Sequence, residues 1–141
     1  MPQINFFTED VSFTLKGKKI AREWLISSLQ KESKTCGDLN YIFCSDEYLK
    51  KVNIDFLQHD YYTDIITFDY SEADEVSGDI YVSIDRIKDN AKQFDKPVYN
   101  ELSRVLIHGV LHLTGYKDKS DADQKQMTEK EDFYLSLHPL L

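Results

Sequence analysis

Two histidines, His108 and His112, stand four residues apart in the run Leu106-Ile107-His108-Gly109-Val110-Leu111-His112-Leu113. On a helix that interval sets both imidazoles on one face, on successive turns. It is the spacing with which two rings bind one tetrahedral ion. Around them Val98, Leu102, Val105, Leu106, Ile107, Val110, Leu111 and Leu113 make the segment apolar nearly all the way round. Such a helix belongs in a core, where buried imidazoles need partners. One cation would partner both. Gly115 ends the helix and lets the chain turn back, which brings Asp118 within reach as a third ligand. Two histidines merely hydrogen-bonded inside a helix is the plainer alternative. The glycine turn and the carboxylate at matching offsets favour the ion, and a zinc ion on His108, His112 and Asp118 is the expectation.

Three protein ligands leave one coordination position free, whereas structural zinc sites are closed by four, mostly with Cys. Water in that position has its pKa lowered towards neutrality and can attack an ester or phosphodiester. The offsets His-x3-His-x2-Gly-x2-Asp are those of the long metzincin motif, but a zincin protease needs Glu directly after the first histidine. That position is Gly109, so peptidase chemistry of this kind is disfavoured.

The elements that position these residues follow from the pattern of the whole chain. Its 141 residues are 41% hydrophobic, enough for one domain over residues 1–141 with one core. Seventeen basic against 25 acidic residues give a net charge of −8, a field that does not attract nucleic acid or anionic lipid. A polyanionic substrate therefore needs a local basic patch. The two cysteines, Cys36 and Cys44, are too few for a disulfide scaffold and too far apart for a CxxC pair, and read as reduced thiols. No apolar run reaches membrane-spanning length, and Met1–Phe7 has no basic segment leading into an apolar one. A soluble, cytoplasmic protein is expected, with no membrane partner.

Ile4–Phe7 and Val11–Leu15 read as short strands, the second alternating with period two. Gly17 opens a basic amphipathic helix to about Lys34, closed by Gly37, and Leu39–Cys44 reads as a buried strand. Ser45, with Asp46 and Glu47 behind it, suits the start of a second helix. Thr63–Phe68 and Asp79–Ile84 are rich in β-branched residues, and their short separation fits an antiparallel hairpin. Helical patterns run over Asp85–Phe94, Pro97–Leu113 and Asp121–Leu137. The order ββαβαββααα predicts an α/β chain, with α+β as the alternative. It would have one mixed sheet of about four strands covered by helices, and the metal site at the end of a buried helix.

The segment resembles the zinc site of the YbeY endoribonucleases, His-Gly-x-Leu-His-Leu-x-Gly-Tyr-Asp-His, at His108, Gly109, Leu111, His112, Leu113, Gly115 and Tyr116. A second block of that family, Asn-x-x-Tyr/Phe-Arg-x-x-Asp-x-x-Thr-Asp-Val-Leu-Ser-Phe, is echoed by Asn53 to Phe68, and a third by Gly78-Asp79-Ile80. The resemblance runs from about residue 35 to the C-terminus. It implies a zinc-dependent, single-strand-selective endoribonuclease of ribosomal RNA maturation, acting at the 3′ end of 16S ribosomal RNA. Implied partners are ribosomal particles, ribosomal proteins and a ribosome-associated GTPase.

Two positions depart from the family pattern. Asp118 replaces its third histidine, giving a more anionic shell that polarises water less. Leu57 replaces an arginine that would handle RNA phosphate, and leucine can neither pair with phosphate nor stabilise developing charge. That loss favours a second expectation, a non-catalytic ribosome-associated assembly factor with a structural zinc. Substitute cations would be Arg104, one turn before His108, unless it pairs with Glu101; or Lys50, Lys51, Arg86 and Lys117, unless these are plain solvated charges. Lys16, Lys18, Lys19 and Arg22 form the densest positive cluster, either an RNA contact or a solvated helix face. His59 reads as a loop histidine with the metal cleft in range, and His138 as no ligand. Asp64 is either a turn residue or an orienting partner for a ligand histidine, and Asp79 is mainly a turn residue. The carboxylates of the last helix, Glu131 among them, read as solvated surface.

Overall fold

A computed structural model describes residues 3–141, so Met1 and Pro2, part of the stretch read as leader-free, lie outside it. The elements are β1 (Ile4–Thr8), α1 (Lys18–Lys31), β2 (Thr35–Cys44), α2 (Asp46–Leu57), β3 (Ile65–Asp69), β4 (Glu75–Ser83), α3 (Ile84–Gln93), α4 (Val98–Leu113) and α5 (Asp121–Ser136). The four strands form one mixed sheet in the order β1-β2-β4-β3. β1, β2 and β4 are parallel, while β3 returns antiparallel along β4, as the short connection demands. The expected mixed sheet under helices is therefore present.

The segment Val11–Leu15 is not a strand. A parallel β1–β2 pair needs its connection to leave the sheet and cross one face, so the segment runs over the sheet instead. Leu15 is buried and Phe13 meets Phe43 edge-on at 5.1 Å. The period-two pattern thus reflects inward anchors, not strand pairing. Gly37 does not close α1 either. That helix ends by Glu32, followed by Ser33 at φ +61°, and Gly37 lies inside β2, where a Cβ would sit 2.0 Å from Ser77 Oγ. Asp79 is likewise mid-strand and accepts from Asn40 Nδ2 at 3.1 Å.

One sheet face carries the main core. Leu39, Tyr41, Phe43, Ile80 and Val82 pack against Trp24, Leu25 and Leu29 of α1 and against Leu102, Leu106 and Val110 of α4. Leu49 and Val52 of α2 cover Ile66 and Cys44 on the other face. Two buried hydrogen bonds tie the layers together. Tyr41 donates its hydroxyl to the Leu106 carbonyl at 2.8 Å, and Trp24 Nε1 donates to the Tyr134 carbonyl at 2.8 Å. Burial pushes the thiols up, Cys36 to about 11 and Cys44 to about 12, so both stay protonated and unreactive at neutral pH.

Candidate metal centre

Helix α4 is the apolar helix expected from the sequence, and it lies close on the sheet at Gly109. A Cβ there would stand 3.0 Å from Ile80 Cγ2 and 3.1 Å from Ile65 Cδ1. The position after His108 therefore has no room for the glutamate of a zincin protease, a steric exclusion added to the missing side chain. Past Leu113 the helix stops, Gly115 takes φ +113°, and the backbone N–H of Tyr116 donates to the Leu111 carbonyl at 3.1 Å. The reversal delivers Asp118.

His108, His112 and Asp118 come together, with one donor atom from each lying within 4.8 Å of the others. Asp118 Oδ2 is 3.4 Å from His108 Nε2 and 3.3 Å from His112 Nε2. The two rings stand nearly perpendicular, with centroids 4.4 Å apart. What lies behind them decides the chemistry. His108 Nδ1 is 2.6 Å from Glu131 Oε2, and His112 Nδ1 is 3.0 Å from the Tyr116 carbonyl. Both partners are acceptors, so in each neutral imidazole the proton sits on Nδ1 and the Nε2 lone pair faces Asp118. That is the second-layer arrangement that fixes metal-ligating histidines. The donor set fits a borderline cation such as zinc.

Glu131, expected among the solvated carboxylates of the last helix, instead turns inward to His108. It is only 7% exposed. One oxygen accepts from His108 and the other from Arg104 Nη1 at 2.7 Å. A signal was present in the chain, because Met127, Glu131 and Tyr134 recur at helical spacing and all three turn inward on α5. The expected pairing of Arg104 with Glu101 is not formed among the described residues. The Arg104 fork spans α5, with Nη2 on Asp132 Oδ1 at 2.6 Å, so it braces Glu131 rather than facing the ligand cluster.

His108 feels opposing influences. Burial works against the imidazolium, but the bonded Glu131 carboxylate, with Asp118 and Asp64 nearby, outweighs it and raises the ring above its ordinary value. Burial also raises the Asp64 carboxyl, despite the opposing pull of His108. Asp64 nevertheless lies near enough for its charge to favour the His108 imidazolium, although no side-chain hydrogen bond to His108 is formed among the described residues.

A second carboxylate braces the turn. Glu32, at the end of α1, accepts from Tyr116 Oη at 2.6 Å, from Tyr134 Oη and from Lys130 Nζ at 3.2 Å. Burial raises its pKa, yet these donors win and hold it below the ordinary carboxylate value. Tyr116 is thus pinned by its ring while its carbonyl orients His112.

The other candidates lie elsewhere. Arg22 donates Nε to the Ile4 carbonyl at 2.8 Å and covers the Phe6 ring, so it caps the open edge of β1, and Lys18 lines a shallow depression with Phe6, Phe13 and Phe43. Lys16 and Lys19 belong to the same end of α1, away from the ligand cluster. Arg86 pairs with Asp46 and Asp89, Lys50 with Asp60, and Lys117 lines a polar cavity with Glu32 and Lys34. Lys51 is exposed on α2. These cations do not converge on the ligands. His138 is buried against Trp24, ring centroids 4.5 Å apart, and is no ligand.

The Endoribonuclease YbeY family model matches residues 3–138. A protein of Cytophaga hutchinsonii named Endoribonuclease YbeY is 55% identical over 135 residues, spanning 95% of this chain and 94% of its own. Its namesake in Flavobacterium johnsoniae is 51% identical, with coverage of 93% and 94%. The solution structure of TM1509 from Thermotoga maritima superposes with a TM-score of 0.67 at 34% identity, covering 94% of this chain and 87% of that one.

Proposed function

Since the chain belongs to the YbeY family of endoribonucleases, we propose that it is a zinc-dependent hydrolase cutting single-stranded RNA during ribosomal RNA maturation in the cytoplasm. One domain over the chain carries the activity. Ribosomal particles and proteins and a ribosome-associated GTPase are its partners in this reading. The observation that carries it is the shared aim of two imidazoles whose Nδ1 atoms are already engaged and whose Nε2 atoms meet at Asp118 Oδ2.

His108, His112 and Asp118 would hold one zinc ion, which when bound supplies Lewis-acid chemistry to a phosphodiester and its attacking water. Glu131 keeps the His108 proton on Nδ1, and the Tyr116 carbonyl does the same for His112. Asp118, 42% exposed at its side chain, marks the side from which substrate enters. The missing glutamate at Gly109 leaves no general base next to the first histidine.

The experiment is metal analysis of wild-type, His108→Ala and Asp118→Ala proteins, beside cleavage of single-stranded RNA with and without chelator. One zinc per wild-type chain, lost in both variants together with cleavage, is the expected result. A second reading, an assembly factor with a structural zinc, draws on Leu57, which stands 40% exposed where a phosphate-handling cation would serve. Retained binding to ribosomal particles with no metal-dependent cleavage would select it.

A further inference from the structure

The connection from α2 to β3, residues 58–64, carries chemistry that the ligand cluster does not use. His59, Tyr61 and Tyr62 fall within four residues and are all exposed, Tyr61 at 54%. Clustered aromatic surface of this kind marks a contact site. His59 and Tyr61 are already stacked, with centroids 5.3 Å apart, planes 18° from parallel, and the Tyr61 hydroxyl 3.0 Å from His59 Nδ1. The pair is held in place by one buried residue. Asn53 donates Nδ2 to the Tyr61 carbonyl at 3.1 Å, and its own carbonyl accepts from the His59 N–H at 3.1 Å.

Beside the rings lies a depression of about 240 Å³, floored by Thr63, Ile65 and Thr67 of the β3 side and walled by Leu57. β3 is an edge strand, paired among the described residues with β4 alone. Ile65 lines the depression and packs on α4 at Gly109, the residue after His108, so the depression lies where β3 meets the helix that carries both histidines. No Lys, Arg, Asp or Glu lines it. A phosphate would find no counter-charge there, and Lys50, the cation at this loop, already lies 4.7 Å over the Tyr62 ring and pairs with Asp60. A flat uncharged group with polar edges does fit, with the His59 and Tyr61 rings to stack on and Thr63 and Thr67 in the lining.

We propose that the His59–Tyr61 stack and the depression at the β3 edge form a nucleobase subsite, binding one base of single-stranded RNA beside the scissile linkage. The assignment rests on the RNA-cleaving reading above. Base–aromatic stacking tolerates any sequence because every base has a π face, so the subsite selects unpaired nucleotides rather than a particular one.

The test uses zinc-loaded wild-type, Tyr61→Ala, Tyr61→Trp and His59→Ala proteins, with a single-stranded RNA oligonucleotide and copies carrying one abasic nucleotide at successive positions. Tyr61→Ala is expected to raise KM about tenfold with kcat nearly unchanged, and to weaken binding by metal-free protein to the same degree. Tyr61→Trp should restore both. One abasic position should weaken wild-type binding as the alanine variant does, and cost that variant nothing further. Wild-type cleavage with KM unchanged in Tyr61→Ala, or a loss that no abasic position reproduces, overturns the subsite alone. A wild-type protein inert towards single-stranded RNA overturns the subsite and the cleavage reading together.

Discussion

Glu131 holds His108 from behind: its Oε2 lies 2.6 Å from the ring's Nδ1, while its Oε1 is clamped by Arg104 at 2.7 Å. The last helix thereby sets the tautomer of a ligand on the helix before it. Partners of this kind govern metal affinity by about 10- to 100-fold. Glu131→Gln should weaken zinc binding by a factor in that range, measured by chelator competition, with secondary structure preserved by circular dichroism. Affinity equal to wild type would deny Glu131 any part in the site.

The same bond makes the metal-free protein respond to pH in an unusual direction. A folded-state pKa above the unfolded one contributes stability that is complete below the unfolded value and lost as pH rises through the folded value. For His108 the loss therefore begins above its ordinary 6.5. Metal-free protein should show a falling His108 contribution to Tm on raising pH from 6 to 8, read as the difference between wild type and His108→Gln. Zinc-loaded protein should show the opposite trend, because protons compete with the metal for the ring.

Asp118→His should keep stoichiometric zinc, since imidazole and carboxylate are both accepted ligands, whereas Asp118→Ala should lose it. Cobalt substitution gives a direct readout, its visible spectrum reporting the change in donor set. An alanine variant with undiminished affinity would remove Asp118 from the ligand set.

Glu32 acts on stability. Its pKa is lowered, so its contribution is full above the ordinary carboxylate value of 4.5 and fades as pH falls below it. Glu32→Gln should lower Tm at pH 7, and the gap from wild type should narrow on acidification towards pH 3. An equal gap at both pH values would show that shape, not charge, matters at this position.

Much of the architecture was legible before any coordinates. The hairpin followed from two β-branched runs with a short acidic link, and the buried helix from its unbroken apolar circumference. The cluster of His108, His112 and Asp118 was legible too, since all three lie within eleven positions, two on one helix face and the third just past the Gly115 turn. Val11–Leu15 was misread because alternation looks the same whether a segment pairs in a sheet or merely drops Phe13 and Leu15 onto one. Glu131 and Glu32 were harder to place for a different reason. Each is defined by a partner 23 or 84 residues away, and only tertiary packing brings such pairs together. A lone acid on the apolar stripe of α5 was the one local clue.

Gly78 shows how tightly that packing is drawn. A Cβ there would lie 2.4 Å from the Phe68 carbonyl oxygen, a backbone atom that cannot swing aside. Gly78→Ala should cost about 1–3 kcal/mol or more in stability, checked by denaturant unfolding.

The two histidines and the aspartate differ in how they are held. The rings are locked by Glu131 and by a carbonyl on a pinned turn, while Asp118 stands on the exposed reversal after Gly115 and its side chain, among the described residues, meets only the two histidines. Mutational freedom is therefore uneven across the triad. Exchanging the outermost donor retunes hardness and cation preference without disturbing the scaffold, so drift between lineages in metal usage would pass through that one accessible position.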